Sequence, residues 1–148
     1  MQEDYISIAL ADDDEDDRMF FTDAFEDLKI KSKVSTFNDG VYLMDYLNSE
    51  GATLPNVLFL DLNMPRKSGL ECLKEIKKNT KFKDIAIAIY STSASEEDIE
   101  NTFIQGANIY IKKPSDFKTL KKVLSDVVTI NWQYHTNSMN KDNFLLRF

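Results

Sequence analysis

The sequence predicts a doubly wound α/β fold, a three-layer sandwich in which helices cover both faces of a parallel β-sheet. Short apolar runs alternate along the chain with longer stretches in which apolar residues recur at helical spacing. Strict alternation of strands and helices requires crossover connections, and these connections produce parallel strands. The run Val57–Leu60 contains only apolar residues, as expected for a strand that is buried on both faces.

Five strands and five helices follow from this pattern. We predict strands over residues 5–11, 34–37, 57–60, 85–90 and 109–111. We predict helices over residues 16–28, 41–47 and 70–76, a fourth between Ser95 and Gly106, and a last helix that opens at Pro114-Ser115. The inner face of the last helix is apolar and consists of Phe117, Leu120, Val123, Leu124, Val127 and Val128.

Polar residues mark the predicted helix ends. Asn38 or Asp39 can cap the second helix and Ser95 the fourth, because their side-chain oxygens accept hydrogen bonds from free backbone amides. Gly106 can end the fourth helix, since glycine readily adopts a left-handed backbone. Three acids open the first helix, and we interpret them as charges that compensate its dipole: Asp14, Asp16 and Asp17.

The strand order determines which residues meet. The flavodoxin-like order 2-1-3-4-5 is the common arrangement at this size, and ligands bind where the chain reverses direction across such a sheet. That reversal lies between the first and third strands, which are neighbours. Asp12 and Asp13 follow the first strand and Asp61 follows the third, so we expect their three carboxylates to face one another.

Three carboxylates in one crevice repel each other unless a cation or a proton accompanies them. The predicted donors are oxygens, with no histidine or cysteine among them, and such donors suit a hard cation. Mg²⁺ is the cation that we predict. Because Mg²⁺ keeps several waters and accepts phosphate oxygens, the crevice is predicted to handle a phosphate group.

Residues at the ends of the fourth and fifth strands supply the remaining chemistry. Ser91 and Thr92 carry hydroxyls that can hydrogen-bond a phosphoryl oxygen. Lys113 precedes Pro114, which favours an extended backbone at the lysine, and the long side chain can reach toward Asp61. A carboxylate nucleophile beside a metal, a hydroxyl and an ammonium can form an aspartyl phosphate.

With these residues in place, the chain resembles the receiver domain of bacterial two-component response regulators, and in particular stand-alone regulators of the chemotaxis type. The resemblance covers residues 5–129, and its motifs occur in the family's order at four strand ends. The matching stretches are Ala11-Asp12-Asp13-Asp14, Leu60-Asp61-Leu62-Asn63-Met64-Pro65, Ser91-Thr92 and Tyr110-Ile111-Lys112-Lys113-Pro114.

The resemblance implies a catalytic role or a metal-binding role for five of these residues. Asp61 would be the phosphoacceptor, and Lys113 would pair first with Asp61 and then with the phosphoryl group. Asp13 would bind Mg²⁺ directly, while Asp12 would act mainly through water. Asp61 and the backbone carbonyl of Asn63 would complete the metal ligands.

The resemblance also implies a switch and its partners. Ser91 would be the switch hydroxyl, and Tyr110 the aromatic residue that follows it inward or outward. The phosphodonor would be a histidine of a sensor histidine kinase or of a histidine phosphotransfer protein. A downstream protein would bind the face made by the fourth strand, fourth helix and fifth strand, around residues 95–110.

The amino-acid composition restricts the kinds of molecule that the protein can bind and the cellular location that we expect for it. The 148-residue chain has a net charge of -7, which disfavours direct binding to nucleic acid because a phosphate backbone requires a basic surface. One cysteine, Cys72, leaves no intrachain disulfide, which fits a reducing cytoplasmic location. No apolar run approaches the roughly 20 residues that span a membrane, and the N-terminus lacks a signal-peptide pattern.

We predict one receiver domain over residues 1–130 and a tail over residues 131–148 that is too short for an output domain. The tail ends in apolar residues, Phe144-Leu145-Leu146-Arg147-Phe148. Such residues either dock on the protein's own surface or contact a partner, which includes a second copy in a homodimer. The sequence leaves both interpretations open.

Three other functions compete with the switch. A Mg²⁺-dependent phosphatase of the haloacid dehalogenase kind also uses a strand-end aspartate. Such enzymes carry the motif Asp-x-Asp at that turn, whereas this chain has Asn63 at the second acidic position. An FMN binder would need small polar residues in the first loop, where Asp12, Asp13 and Asp14 would repel its phosphate. A receiver kept only as a scaffold would not need the full set of site residues.

Overall fold

A computed structural model of the chain describes residues 5–129 and 144–145. The five strands are β1 (Ile6–Ala11), β2 (Ser32–Phe37), β3 (Val57–Leu60), β4 (Ala86–Ser91) and β5 (Ile109–Lys112). The helices are α1 (Glu15–Leu28), α2 (Gly40–Asn48), α3 (Gly69–Lys78), α4 (Glu96–Ile104) and α5 (Phe117–Thr129), with a 3-10 turn at Thr80–Phe82. Of the predicted tail, all but Phe144 and Leu145 lies outside the described residues.

The strands form one parallel sheet in the order β2-β1-β3-β4-β5, which confirms the predicted fold. Successive side chains of a strand point to opposite faces, so β3 contributes to two cores. Leu58 and Leu60 pack on the side of α2 and α3, whereas Val57 and Phe59 pack on the side of α1 and α5. All four β3 side chains are fully buried, as the absence of polar residues in this run predicted.

Aromatic packing dominates the core between the sheet and helices α1 and α5. The Phe21 ring lies 5.0 Å from that of Phe59 and 5.7 Å from that of Tyr90, in edge-to-face geometry. Phe25 packs against Phe21 at 5.2 Å. Such pairs add about 0.5–1.5 kcal/mol each beyond the area that they bury. This core fixes β3 and β4, whose C-terminal ends carry two of the predicted site residues.

Capping residues explain where the helices begin. Asp14 caps α1 by accepting a hydrogen bond from the Asp17 amide, and Asp39 caps α2 in the same way. The prediction that α5 opens at Pro114-Ser115 was wrong by two residues, since the helix begins at Phe117. A carboxylate oxygen of Asp116 accepts a hydrogen bond from the Thr119 amide at 2.9 Å and so caps the first turn of α5.

The register brings the site residues to one edge of the sheet. Ala11 of β1 pairs with Leu60 of β3, so Asp12 and Asp61 leave neighbouring strands at the same level. The Asp61 amide donates to the Ala11 carbonyl at 3.0 Å. On the other side of β3, the chain passes from β5 into the loop at Lys113, whose amide donates to the Ser91 carbonyl at 2.8 Å. No helix among residues 5–129 is long and apolar enough to cross a membrane.

Gly69, the first residue of α3, lies against the backbone of the site. A Cβ atom at this position would lie 2.1 Å from the Asp61 carbonyl oxygen and 2.8 Å from the Leu62 Cα. Both neighbours are backbone atoms, so a side chain cannot be accommodated by a rotamer change. The absence of a side chain at Gly69 therefore permits the close approach of α3 to the end of β3.

We predict that Gly69→Ala lowers the free energy of unfolding by about 3 kcal/mol, because the β3–α3 backbone must shift to relieve overlap. Gly51→Ala is the matched control, since Gly51 has a φ of +79° but no atom within 4 Å of an added Cβ. Its cost should be about 1 kcal/mol, from the left-handed backbone alone. Urea denaturation measures both values. Equal losses in the two variants would contradict the steric argument.

Candidate functional site

The structure brings the three predicted acids together at the C-terminal edge of the sheet. Carboxylate oxygens of Asp12, Asp13 and Asp61 lie within 4.8 Å of one another. Asp12 and Asp61 are buried, with exposed fractions of 0% and 5%, whereas Asp13 is exposed. Two buried carboxylates with a third at the mouth form a site that is open to solvent on one side.

Lys113 pairs with two acids of this cluster, Asp12 and Asp61, and with Asp17 of α1. Its ammonium lies 2.8 Å from Asp12 Oδ2, 2.8 Å from Asp17 Oδ2 and 3.4 Å from Asp61 Oδ2. The Lys113 side chain is only 8% exposed, so these ion pairs are screened far less than pairs on the surface. One buried cation thus partly neutralises three carboxylates.

Backbone groups orient the carboxylates. Asp12 Oδ1 accepts a hydrogen bond from the Asp14 amide at 3.0 Å, and Asp61 Oδ1 accepts from the Asn63 amide at 3.4 Å. Arg18 of α1 donates through Nη1 to the Asp12 carbonyl at 2.8 Å and holds the loop to its helix. These contacts fix Asp12 Oδ2 and Asp61 Oδ2 toward the interior of the cluster.

The donor set fits a hard divalent cation. Asp12 Oδ2 is buried and receives no well-oriented hydrogen bond from the described residues, although it forms the ion pair with Lys113. Buried oxygens of this kind normally have a partner. Together with Asp13 and Asp61 it offers carboxylate oxygens, which Mg²⁺ prefers over nitrogen or sulfur ligands.

Burial changes the acid–base behaviour of the site. Desolvation raises the pKa of Asp61 to about 6, since attraction by Lys113 only partly offsets the loss of water and Asp12 adds repulsion. Desolvation likewise raises the pKa of Asp12. Burial lowers the pKa of Lys113, but its close pairing with Asp12 and Asp17 outweighs this effect and raises that pKa above its ordinary value. Lys113 is therefore charged whenever the carboxylates are.

Ser91 and Tyr110 lie on neighbouring strands behind the cluster. Ser91 is the last residue of β4 and is fully buried, while Thr92 is exposed. Ser91 Oγ accepts from the Ser93 amide at 3.1 Å, and the Tyr110 hydroxyl donates to the Ser93 carbonyl at 2.7 Å. Ser93 thus links the two predicted switch residues, and the Tyr110 ring is in an inward, buried position.

Asp17 is a site residue that the sequence interpretation did not identify. Its assignment as a charge that only compensates the α1 dipole was incomplete, because its carboxylate lies 2.8 Å from the Lys113 ammonium. Its position contained a signal. Asp17 lies in the first turn of α1, directly after the Asp14 cap, so it is close in the chain to the loop that carries Asp12 and Asp13.

A second ion pair holds the loop between β3 and α3. Arg66 Nε lies 2.9 Å from Asp39 Oδ2, and the guanidinium stacks 4.8 Å from the centre of the Tyr42 ring. Arg66 has a φ of 66°, a left-handed backbone that is uncommon outside glycine. These contacts hold the Asn63–Arg66 part of the loop against the start of α2.

We predict that Asp61→Asn stabilises the metal-free protein at pH 7 by about 1–3 kcal/mol, because a shift of two pKa units corresponds to about 3 kcal/mol. Between its ordinary value of 3.8 and about 6, Asp61 binds more protons in the folded than in the unfolded state. Wild-type stability therefore falls as the pH rises through this window, and the advantage of the variant should vanish near pH 4.

Urea denaturation in a chelating buffer at pH 4 and pH 7 measures this difference. Asp16→Asn is the control, since it removes the same charge from an exposed position on α1. An Asp61→Asn gain that is equal at both pH values, or no gain at all, would contradict the assignment of a desolvated carboxylate.

Known proteins are similar to this chain in sequence. Residues 8–125 match the response regulator receiver domain family. The chain is 30% identical over 128 residues to a probable methanogenesis regulatory protein, FilR2, of Methanothrix harundinacea, which covers 84% of this chain and 83% of that protein. It is also 30% identical over 124 residues to the response regulator Rcp1 of Synechocystis, covering 81% and 84% of the two chains.

Solved structures give the same result. The Mn²⁺-bound form of response regulator Rcp1 superposes with a TM-score of 0.76 at 29% identity, over 84% of this chain and 93% of that one. The phosphorylated cyanobacterial phytochrome response regulator RcpA superposes with a TM-score of 0.78 at 28% identity, over 93% and 98%. The family match spans most of the chain and contains every residue of the site. The chain therefore belongs to the response regulator receiver domain family.

Proposed function

We propose that this chain is a phosphorylation-dependent switch of a two-component phosphorelay, acting in the cytoplasm. Asp61 would accept a phosphoryl group from a histidine of a sensor kinase or of a phosphotransfer protein. The receiver would comprise residues 1–130 and would signal by contact with another protein. Membership of the receiver family supports this proposal, as do the Mn²⁺-bound and phosphorylated states named for two structural relatives.

The position of Lys113 is the observation that carries the proposal. A buried ammonium 3.4 Å from Asp61 and 2.8 Å from Asp12 is placed to move from a carboxylate to a phosphoryl oxygen with little change in position. A lysine whose only role was to stabilise the fold could form an ion pair with a single carboxylate on the surface. Its location among several buried acids instead suits a site where negative charge increases during a reaction.

The metal-binding residues would be Asp12, Asp13, Asp61 and the backbone carbonyl of Asn63. When bound, Mg²⁺ would neutralise charge on the transferring phosphoryl group. The negative charge of the cluster favours binding of a cation, because Lys113 offsets only one of the carboxylate charges.

The chain's own residues would carry out the transfer. A carboxylate oxygen of Asp61 attacks phosphorus, an O–P bond forms, and the P–N bond to the donor histidine breaks. The electron pair of that bond stays on the imidazole nitrogen, which takes up a proton from solvent. Lys113 would stabilise the phosphoryl oxygens, and Ser91 would donate its hydroxyl to one of them.

The phosphoryl group would then shift an equilibrium that already exists in the free protein. If Ser91 turns toward the phosphoryl group, its contact with the Ser93 amide breaks. The Tyr110 hydroxyl is bonded to the same residue, so the β4–α4 loop and Tyr110 would respond together. The surface around residues 95–110 would thereby become the output face.

We predict that incubation with acetyl phosphate and Mg²⁺ adds one phosphoryl group to the wild type and none to Asp61→Asn, as measured by intact-protein mass. A second experiment uses beryllofluoride with Mg²⁺, which requires no reactive donor. It should shift the NMR signals of backbone amides near Asp61 in the wild type only. Sustained turnover of a small phosphoester would favour the phosphatase. No metal-dependent change in either arm would favour the scaffold.

We also predict that Asp17→Asn lengthens the lifetime of the phosphorylated protein by about threefold, the effect of a partly exposed ion pair worth under about 1 kcal/mol. Without Asp17, Lys113 is shared only between the phosphoryl group and Asp12. Asp16→Asn removes an equal charge from the neighbouring position and should leave the lifetime unchanged. Loss of the labelled phosphoryl group over time gives the lifetime of each variant. An equal change in the two lifetimes would refute the role of Asp17.

A further inference from the structure

The described part of the C-terminal segment packs on the surface formed by α4 and β5. Phe144 is fully buried, and its ring lies 5.3 Å from that of Phe103 on α4 and 6.1 Å from that of Tyr110 on β5. Both pairs are near edge-to-face, the arrangement that aromatic rings favour. Phe144 thus belongs to the core on the α2 and α3 side of the sheet.

The segment also uses its backbone. Leu145 forms a parallel β-bridge with Tyr110, and β5 is the edge strand of the sheet. An edge strand presents unpaired peptide groups that can pair with a further extended segment. Combining edge pairing with a side chain in a pocket is a common way for a domain to bind a peptide, since the backbone gives affinity and the pocket gives specificity.

The pocket for Phe144 includes a predicted switch residue. The Tyr110 hydroxyl is held by the Ser93 carbonyl, which keeps the ring buried where Phe144 packs against it. Ile99 and Phe103 of α4 are partly buried against the same core. Ile104, the last residue of α4, is 66% exposed and adds an apolar side chain to the surface of this helix.

We propose that the β5 edge, with the pocket between Phe103 and Tyr110, is a binding surface for a segment in which a phenylalanine fills the pocket and the next residue pairs with the edge. Its occupant in the free protein is the chain's own Phe144–Leu145 segment. Attachment to the same chain favours this occupant, because a tethered segment has an effective concentration on the order of millimolar. The surface lies within the proposed output face, so a downstream partner must displace Phe144; this last step rests on the proposed function.

Hydrogen exchange of the full-length, unphosphorylated protein tests the occupancy. In Phe144→Ala, exchange across Ile109–Lys112 should rise at least about fivefold, since the edge loses its cover. Phe144→Leu keeps an apolar side chain in the pocket and should remain near the wild type. Exchange in the central strand Val57–Leu60 should not change, which separates local uncovering from global unfolding. Unchanged β5 exchange in Phe144→Ala would overturn the proposal.

A labelled peptide of residues 140–148 tests the surface in trans. It should bind full-length Phe144→Ala at least about tenfold more tightly than the wild type, whose own segment competes. The same peptide with alanine in place of Phe144 should bind neither protein. Peptide binding that is equal in both proteins, or absent from both, overturns the proposal.

Concentration distinguishes a segment on its own chain from one on a second copy. Wild-type protection of β5 should be independent of protein concentration, and protection that rises with concentration would assign the surface to a dimer and overturn occupancy within one chain. Since no phosphate is present in these measurements, their failure leaves phosphotransfer to Asp61 untouched. Failure of phosphotransfer would likewise leave the exchange result standing.

Discussion

The ion pairs of the Lys113 ammonium with buried carboxylates are the constraint on which the site depends. Removing water from Asp12 and Asp61 is costly, and a buried charge without a partner costs several kcal/mol. The sheet supplies the partner, because hydrogen bonding of the Lys113 amide to the Ser91 carbonyl fixes where the lysine leaves β5. The packing of β3, β4 and β5 therefore determines the electrostatics of the crevice.

Compensation by Lys113 is incomplete, and this gives the site its chemistry. Burial of Asp61 raises its pKa to about 6, because attraction by Lys113 offsets only part of the lost hydration and Asp12 adds repulsion. A second cation or a proton would neutralise the excess negative charge of the carboxylates. The apo site is thus less stable than it would be with neutral residues, a cost that is common where function requires buried charge.

Much of the fold and the site could be predicted because both follow from short-range patterns. Apolar runs located the strands, and parallel strands bring their C-terminal ends to one edge, so Asp12, Asp61, Ser91 and Lys113 had to be near each other. The rotation of α1 about its axis was not predictable in the same way. Capping by Asp14 sets that rotation and turns Asp17 toward Lys113.

Contacts between residues that are far apart in the sequence could not be derived from periodicity. Residues 130–143 separate α5 from Phe144, and no local pattern indicates that Phe144 reaches Phe103 and Tyr110. The start of α5 was misplaced for a related reason, since the proline before it suggested an earlier first turn than the Asp116 cap allows. Side-chain caps and tertiary docking decided these details, and neither follows from apolar periodicity.

Locating the phosphoryl group at residue level shows directly whether Asp61 is the phosphoacceptor. An aspartyl phosphate is reduced by borohydride to homoserine, which survives proteolysis and is identified by peptide mass spectrometry. After phosphorylation in the presence of Mg²⁺, we predict homoserine at position 61 and at no other acidic residue of the cluster. Homoserine at Asp12, Asp13 or Asp17, or none in a protein that has gained a phosphoryl group, would contradict the account.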